Sequence, residues 1–311
     1  MVSSPSPVND RGDKSSPPLY LHSAKSIPPI SRDVRASPLH AEPGYWSQKF
    51  ARPTVARQNR PPFRPDVPDD RGEQRQQLNE QRLSERLERV AAHVPAGTRL
   101  ADIGSDHGYL LVALMTRGAI AAAVAGEVAL TPFHAAQRTV RENGLSQRIA
   151  VRLADGLAAI EPEDRISAIS LCGMGGETIR DILDRDKSRL TGEERLILQP
   201  NGGEQPLRRW LMDNGYRILH EEVLRENRFN YEIIVAERTG PVRYTNQELY
   251  FGPLQLQERS PAFLAKWQRL LHLKQRTLTH FAQARQAVPE DKVQALTRQT
   301  RWISELLAEK G

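Results

Sequence analysis

Cysteine is all but absent from this chain. Cys172 stands alone among 311 residues, which excludes a disulfide framework and any cysteine-rich metal centre and makes a reducing cytoplasm the expected compartment. The eight histidines show no H-x-x-x-H or comparable ligand spacing, so no metal is expected. No apolar run approaches a membrane span, and the N-terminal segment has no signal-type apolar stretch, so neither insertion nor secretion is expected. Apolar residues are scarce overall, at 39%, and the deficit is concentrated at one end. Residues 1–75 hold 13 of the 22 prolines, with many Ser, Arg and Asp and no sustained period. Such a segment buries too little apolar surface to offset its ordering entropy, and it reads as a disordered Pro-rich tail. Its eight acidic residues argue against a transit peptide; a linker, a tether and an over-extended gene start all fit.

What charge there is divides unevenly. Residues 1–75 carry 12 Lys/Arg against 8 Asp/Glu, residues 76–240 carry 21 against 24, and residues 241–311 carry 11 against 6. A slightly acidic body with a basic C-terminal module suggests a polyanionic partner held by the appendage; a solvated helical face is the plainer alternative. Three regions follow: the tail (1–75), an α/β domain (76–240) and a C-terminal helical hairpin (241–311).

The body is organised around Leu100–Leu110, LADIGSDHGYL. A short apolar strand breaks at Gly104 and resumes at Tyr109 as an apolar helix, the first βα unit of a nucleotide-binding parallel sheet. The dinucleotide pattern G-x-G-x-x-G would need glycine where Asp106 stands. What remains, Asp102-x-Gly104-x-Asp106-x-Gly108, resembles the first motif of S-adenosylmethionine-dependent methyltransferases. Asp106 would repel a pyrophosphate and attract the ammonium of a methionyl group. Upstream, the apolar positions of 77–94 recur near helical spacing and read as an amphipathic helix docking on the sheet.

Further strands follow in order. Ala119–Glu127 is a buried second strand, and Glu127 stands where such folds place an acid for ribose hydroxyls. Thr131 reads as a helix N-cap with Pro132 at the first helical position. Ile149–Leu153 is a third strand, after which Asp155-Gly156 is either a mere turn or an acceptor for an adenine amino group. Ile166–Cys172 runs into Gly173, Met174, Gly175 and Gly176. Three glycines in four residues mean that the backbone adopts positive φ or lets something large sit against it. A flexible turn is the plainer alternative, and the position at a strand's carboxyl end places the acceptor base beside Gly173 to Gly176. Arg195–Asn201 brings Gln199, Pro200 and Asn201 to the same edge, two amides suited to reading a base edge. Tyr216–Val223 and Arg228–Ala236 read as an antiparallel pair. Beyond a turn at Tyr250–Pro253, two helical segments (261 to about 287 and 290 to about 310) form a hairpin with Leu264, Trp267, Leu271, Leu273, Leu278 and Phe281 facing Val293, Leu296, Trp302, Ile303 and Leu306.

Taken together, ADIGSDHGYL, AGEV, CGMGG, LILQPN and the Tyr231-Glu232 strand resemble the bacterial tRNA adenine-22 N1-methyltransferase family, often called TrmK, over residues 77–310. The resemblance implies a Rossmann-like methyltransferase sheet with a C-terminal coiled-coil hairpin that helps hold tRNA, and S-adenosylmethionine as cofactor. The residues implied for the cofactor are Asp102, Gly104, Ser105, Asp106, His107, Gly108, Tyr109, Glu127, Asp155 and Gly156. Asp106 with Gly173, Met174, Gly175 and Gly176 would face the transferred methyl, and Gln199, Pro200, Asn201 and Tyr231 the substrate. His107 either starts the helix or touches substrate, and Tyr109 either stacks on a base or packs. The family usually has alanine and proline where this chain has Gly108 and Leu111, and glycine-proline where it has Thr131-Pro132. None of these departures removes a functional group. The chain is expected to act as a monomer. Rival readings are a methyltransferase for another RNA or a small molecule, and a non-catalytic tRNA-binding protein on the same fold.

Overall fold

The computed structural model describes residues 82–284 and 286–308. The expected disordered tail lies outside them. Its centre is a seven-stranded sheet in the order β3-β2-β1-β4-β5-β7-β6. The strands are β1 (Thr98–Ile103), β2 (Ile120–Glu127), β3 (Ile149–Leu153), β4 (Ala168–Met174), β5 (Arg195–Pro200), β6 (Tyr216–Glu226) and β7 (Phe229–Arg238). The first five are parallel and β7 is antiparallel to both of its neighbours. The order reverses beside β1, where β2 and β4 flank it and the connecting chain leaves on opposite faces. Open α/β sheets bind ligands outside the carboxyl ends of the strands at such a point.

Helices cover both faces. Helix α1 (Glu85–Ala92), α2 (Tyr109–Thr116) and α3 (Leu130–Glu142) pack on one side through Val90, Leu111, Met115 and Val140. On the other side α4 (Gly176–Arg185) and α5 (Glu204–Asp213) contribute Ile179, Leu183, Leu207 and Leu211. Six successive residues of α2, Leu110 to Met115, are buried, as expected of a helix apolar on all sides. Helix α3 begins at Leu130 after an extended Ala129, so Thr131 is not the cap and Pro132 is not the first helical residue. Both lie in the first turn, where the missing proline N–H has no intrahelical partner to lose. Strand β4 extends two residues past Cys172, through Gly173 and Met174.

The segment read as a turn at 250–253 is two short helices, α6 (Asn246–Phe251) and α7 (Pro253–Glu258), meeting at Gly252. Then α8 (Pro261–Ala282) and α9 (Glu290–Ala308) run antiparallel, with Lys274 Nζ donating to Gln299 Oε1 at 2.8 Å. Phe263, Trp267, Ile303 and Leu306 join Phe251 and Val223 of β6 in a third apolar cluster. Leu273, expected on the packed side, is 50% exposed.

Charged groups tie these elements together. Arg208 of α5, fully buried, donates from Nε to Glu221 of β6 at 2.6 Å and from Nη2 to Glu232 of β7 at 2.5 Å. Lys266 of α8 also reaches Glu232, so one buried cluster joins the sheet to the C-terminal helices. At the far edge Glu222 of β6 receives Arg89 and His93 from α1 and its C-cap. His93, His220 and Glu222 bring three potential metal-ligand atoms within 4.8 Å of one another, a grouping across 129 residues of sequence that ligand spacing cannot reveal.

Candidate active site

Strand β1 ends in a turn that alternates left-handed residues: Gly104 (φ 73°), Asp106 (φ 58°) and Gly108 (φ 73°). Gly104 is called for by its φ; a Cβ there would stand 2.9 Å from the Met174 methyl, the end of a flexible side chain that can give way. The turn is braced from behind. Glu127, at the tip of β2 and only 4% exposed, accepts from the Ser105 hydroxyl at 3.1 Å and from the Asp106 N–H. Desolvation pushes its carboxyl above the ordinary range, against those two hydrogen bonds.

Gly104 separates two cavities and lines both. The first, of about 570 Å³, has a mainly apolar wall of Ile103, Val128, Met174 and Ile182, with Asp155, Gly156 and Arg185 at its rim. Val128 is 71% exposed there, an apolar surface suited to a purine face. Asp155 is half of an ion pair with Arg185, at 2.8 Å. A Cβ on Gly156 would collide with Arg185 and Asp186. The second cavity, of about 370 Å³, is lined by Arg86, Asp102, Asp106, Tyr109, Gly173 and Tyr231, among others.

Two carboxylates reach this second cavity, and they differ. Asp106 is 79% exposed, with His107 Nε2 at 3.7 Å. Asp102 is 4% exposed and accepts from the Ser170 hydroxyl at 2.6 Å, the partner that its register on β4 supplies. Burial pushes the Asp102 carboxyl up to about 6, while the Ser170 hydrogen bond and the nearby Arg86 pull the other way. A buried carboxylate facing a cavity holds a cation more strongly than an exposed one, because less water screens it. Asp102, not Asp106, is therefore the stronger anionic point. Beside it the Cys172 thiol is pushed up by burial and by the negative charge of Asp102, so it stays protonated and is no nucleophile. His107 lies parallel to Tyr109, ring centroids 5.1 Å apart.

Within the glycine cluster and the strand end that follows, Gln199, Pro200, Gly175 and Gly176 have duties different from those expected. Gln199 is fully buried, and Pro200 is buried too. Gln199 Oε1 accepts from Arg86 at 2.6 Å and from the Gly173 N–H at 3.2 Å, while its Nε2 donates to the Pro200 carbonyl and to Asn201 Oδ1. Asn201 Nδ2 in turn donates to the Gly173 carbonyl at 2.9 Å. The amides hold Gly173 from both its N–H and its C=O; Gln199 cannot present an edge to a base, whereas Asn201 remains exposed at the cavity wall. Gly176 is small because another backbone passes it: its N–H donates to Gly202 at 2.7 Å, and a Cβ would lie 2.1 Å from the Gly203 carbonyl oxygen. Of the four residues Gly173–Gly176, Gly173 lines the second cavity and Met174 the first, while Gly175 and Gly176 begin α4 and line neither.

The structure thus brings together Asp102, Gly104, Ser105, Asp106, His107, Tyr109, Gly173, Asn201 and Tyr231 around one cavity. Gly108 caps α2 behind them. Arg86 was not foreseen. Its guanidinium lies 5.3 Å from the Tyr231 ring centroid while it bonds Gln199. In sequence it is one of several arginines on an amphipathic helix, and nothing there distinguishes it.

Residues 100–302 match the model of the TrmK family, tRNA (adenine(22)-N(1))-methyltransferase. The chain belongs to that family. It is 39% identical to the Bacillus subtilis tRNA (adenine(22)-N(1))-methyltransferase over 212 residues, 67% of this chain and 89% of that one. Among solved structures, the Bacillus subtilis m1A22 tRNA methyltransferase TrmK superposes with a TM-score of 0.69 at 35% identity, covering 73% of this chain and 99% of the other. A Streptococcus pneumoniae relative in complex with S-adenosyl-L-methionine gives a TM-score of 0.67 at 41% identity, over 73% and 100%. The fold is the Rossmann-like sheet of these enzymes.

Proposed function

We propose that this protein transfers a methyl group from S-adenosylmethionine to N1 of adenine 22 in tRNA. The observation that carries the reading is the pair of cavities meeting at Gly104, one apolar-walled and one charged, in a member of this family. Val128 and Met174 would face the adenine of the cofactor and Asp155 its amino group. Glu127 would offer its second oxygen to the ribose. Asp102, supported by Asp106, would hold the cationic methionyl end. When bound, the cofactor supplies the methyl group on a sulfonium.

Adenine N1 is a neutral lone-pair nucleophile near pH 7, so the reaction needs alignment more than a base. The chain supplies it through Gly173, which the Gln199 and Asn201 amides immobilise, and through the Tyr231 ring beneath Arg86. The product base carries a positive charge. The negative field of the carboxylates that hold the methionyl end would also favour that charge as it develops. The basic C-terminal hairpin would supply phosphate contacts that do not read sequence.

The deciding experiment is transfer of labelled methyl to a tRNA transcript with adenine at position 22, beside one with guanine there. Label is expected in the first alone. Label in both would discard the site, and label in neither, with the cofactor bound, would discard the substrate.

A further inference from the structure

We propose that Phe229 is a nucleobase-stacking wedge, which takes the face of an RNA base exposed when the target adenine leaves its stack. The inference rests on the RNA-methylating function proposed above and adds a second base-binding surface outside the cavity. Among the described residues, Phe229 is the one Phe, Tyr or Trp classed as exposed, at 64%. It sits at the tip of the β6–β7 hairpin, where the pair Glu226–Phe229 closes a turn through Asn227 (φ 56°) and Arg228.

Placement gives that exposure its meaning. Strand β7 is antiparallel to β5, so its first residues lie over the carboxyl ends of the parallel strands, on the side that holds both cavities. Phe229 and Tyr231 share a strand face. Their centroids are 6.3 Å apart, and Tyr231 lines the second cavity. The tip is anchored, because Glu226 Oε1 accepts from the Glu85 N–H at the start of α1 at 2.7 Å. Arg228, exposed in the turn next to Phe229, can reach a phosphate there, and Arg225, also exposed, stands on the opposite strand face. An aromatic held in water on a braced tip offers a stacking face at low entropy cost. N1 lies on the Watson–Crick edge, so an adenine in a helix must leave its stack before Tyr231 and Gly173 can face it. The gap it leaves is what Phe229 fills.

The test compares wild type, Phe229→Ala and Phe229→Trp on the folded tRNA and on an unstructured oligonucleotide bearing the same adenine. Phe229→Ala is expected to lower kcat/KM on tRNA by about ten- to hundredfold, the scale of one lost base–aromatic stack. Phe229→Trp should retain activity, the oligonucleotide should be methylated equally by all three, and cofactor binding should not change. With 2-aminopurine in place of the target adenine, fluorescence should rise on tRNA binding to wild type and to Phe229→Trp but not to Phe229→Ala. Equal losses on both RNAs, or no loss on either, overturn the wedge. A fluorescence rise without methylation by wild type overturns the proposed reaction and leaves the wedge standing.

Discussion

At the scale of single residues, the position that decides most is Asp102. Its carboxyl is raised from 3.8 to about 6, chiefly by burial. A raised folded value means that folding favours the neutral acid, so stability from this group is fully present below pH 4 and is lost as pH rises through about 6. The shift corresponds to about 3 kcal/mol at most. Asparagine keeps an oxygen for the Ser170 hydroxyl and carries no charge. Asp102→Asn should therefore raise the unfolding free energy at pH 8 by up to about 3 kcal/mol and change little at pH 4, as denaturant melts at the two pH values will read. The same variant should bind S-adenosylmethionine more weakly. Wild-type affinity should fall between pH 7 and pH 5, at most tenfold per unit below 6, while that of the variant stays flat. A variant both less stable and unimpaired in binding would remove Asp102 from the cation site. Stability given up at one buried carboxylate is the mark of a functional group.

At the scale of elements, the sheet and the C-terminal helices are joined by the Arg208–Glu221–Glu232–Lys266 cluster. Arg208→Met removes the main cation from two buried carboxylates and should cost about 3–5 kcal/mol, seen as a lower urea midpoint with an unchanged slope. Adding Glu221→Gln to Arg208→Met should recover part of that loss, since one stranded charge is then gone. This cluster was invisible in sequence, as its pairs lie 13, 24 and 34 residues apart and nothing local marks a charged residue as buried. The strands were legible for the opposite reason: a parallel sheet covered on both faces needs runs such as AIAAAVAGE and LILQP, which announce themselves. The two demands that a glycine cluster announces fall on different residues: Gly173 has φ 78° and Gly176 is closely approached. Gly203 backbone, not a ligand, crowds Gly176, and only three-dimensional proximity distinguishes the two. Gln199 misled in a related way, because an amide at a strand's end looks the same in sequence whether it faces solvent or, as here, secures Gly173 and Arg86.

At the scale of the whole molecule, the distribution of charge has to serve a polyanion many times larger than the cavity. Helix α8 carries Arg269, His272, Leu273, Arg276 and His280 on one exposed stripe at i, i+3, i+4, i+7 and i+11. Its opposite face is engaged with α9 through Trp267 and Leu271, so the stripe is open to a partner while the hairpin is held by its own core. Neutralising the two arginines, Arg269→Gln with Arg276→Gln, should leave the fold intact, since both side chains are exposed. If each arginine contacts one phosphate, the slope of log Kd for tRNA against log salt should drop by about 0.7–0.9 per contact. Affinity should then weaken at low salt and converge with wild type as salt rises, for every tRNA alike. Turnover at saturating tRNA should be unchanged, because the stripe does not line either cavity. An unaltered slope would return this face to being only the solvated side of a helix. A lost turnover with an unaltered slope would instead mean that the hairpin acts on the geometry of the sheet through Lys266 and Glu232, and that tRNA is held elsewhere.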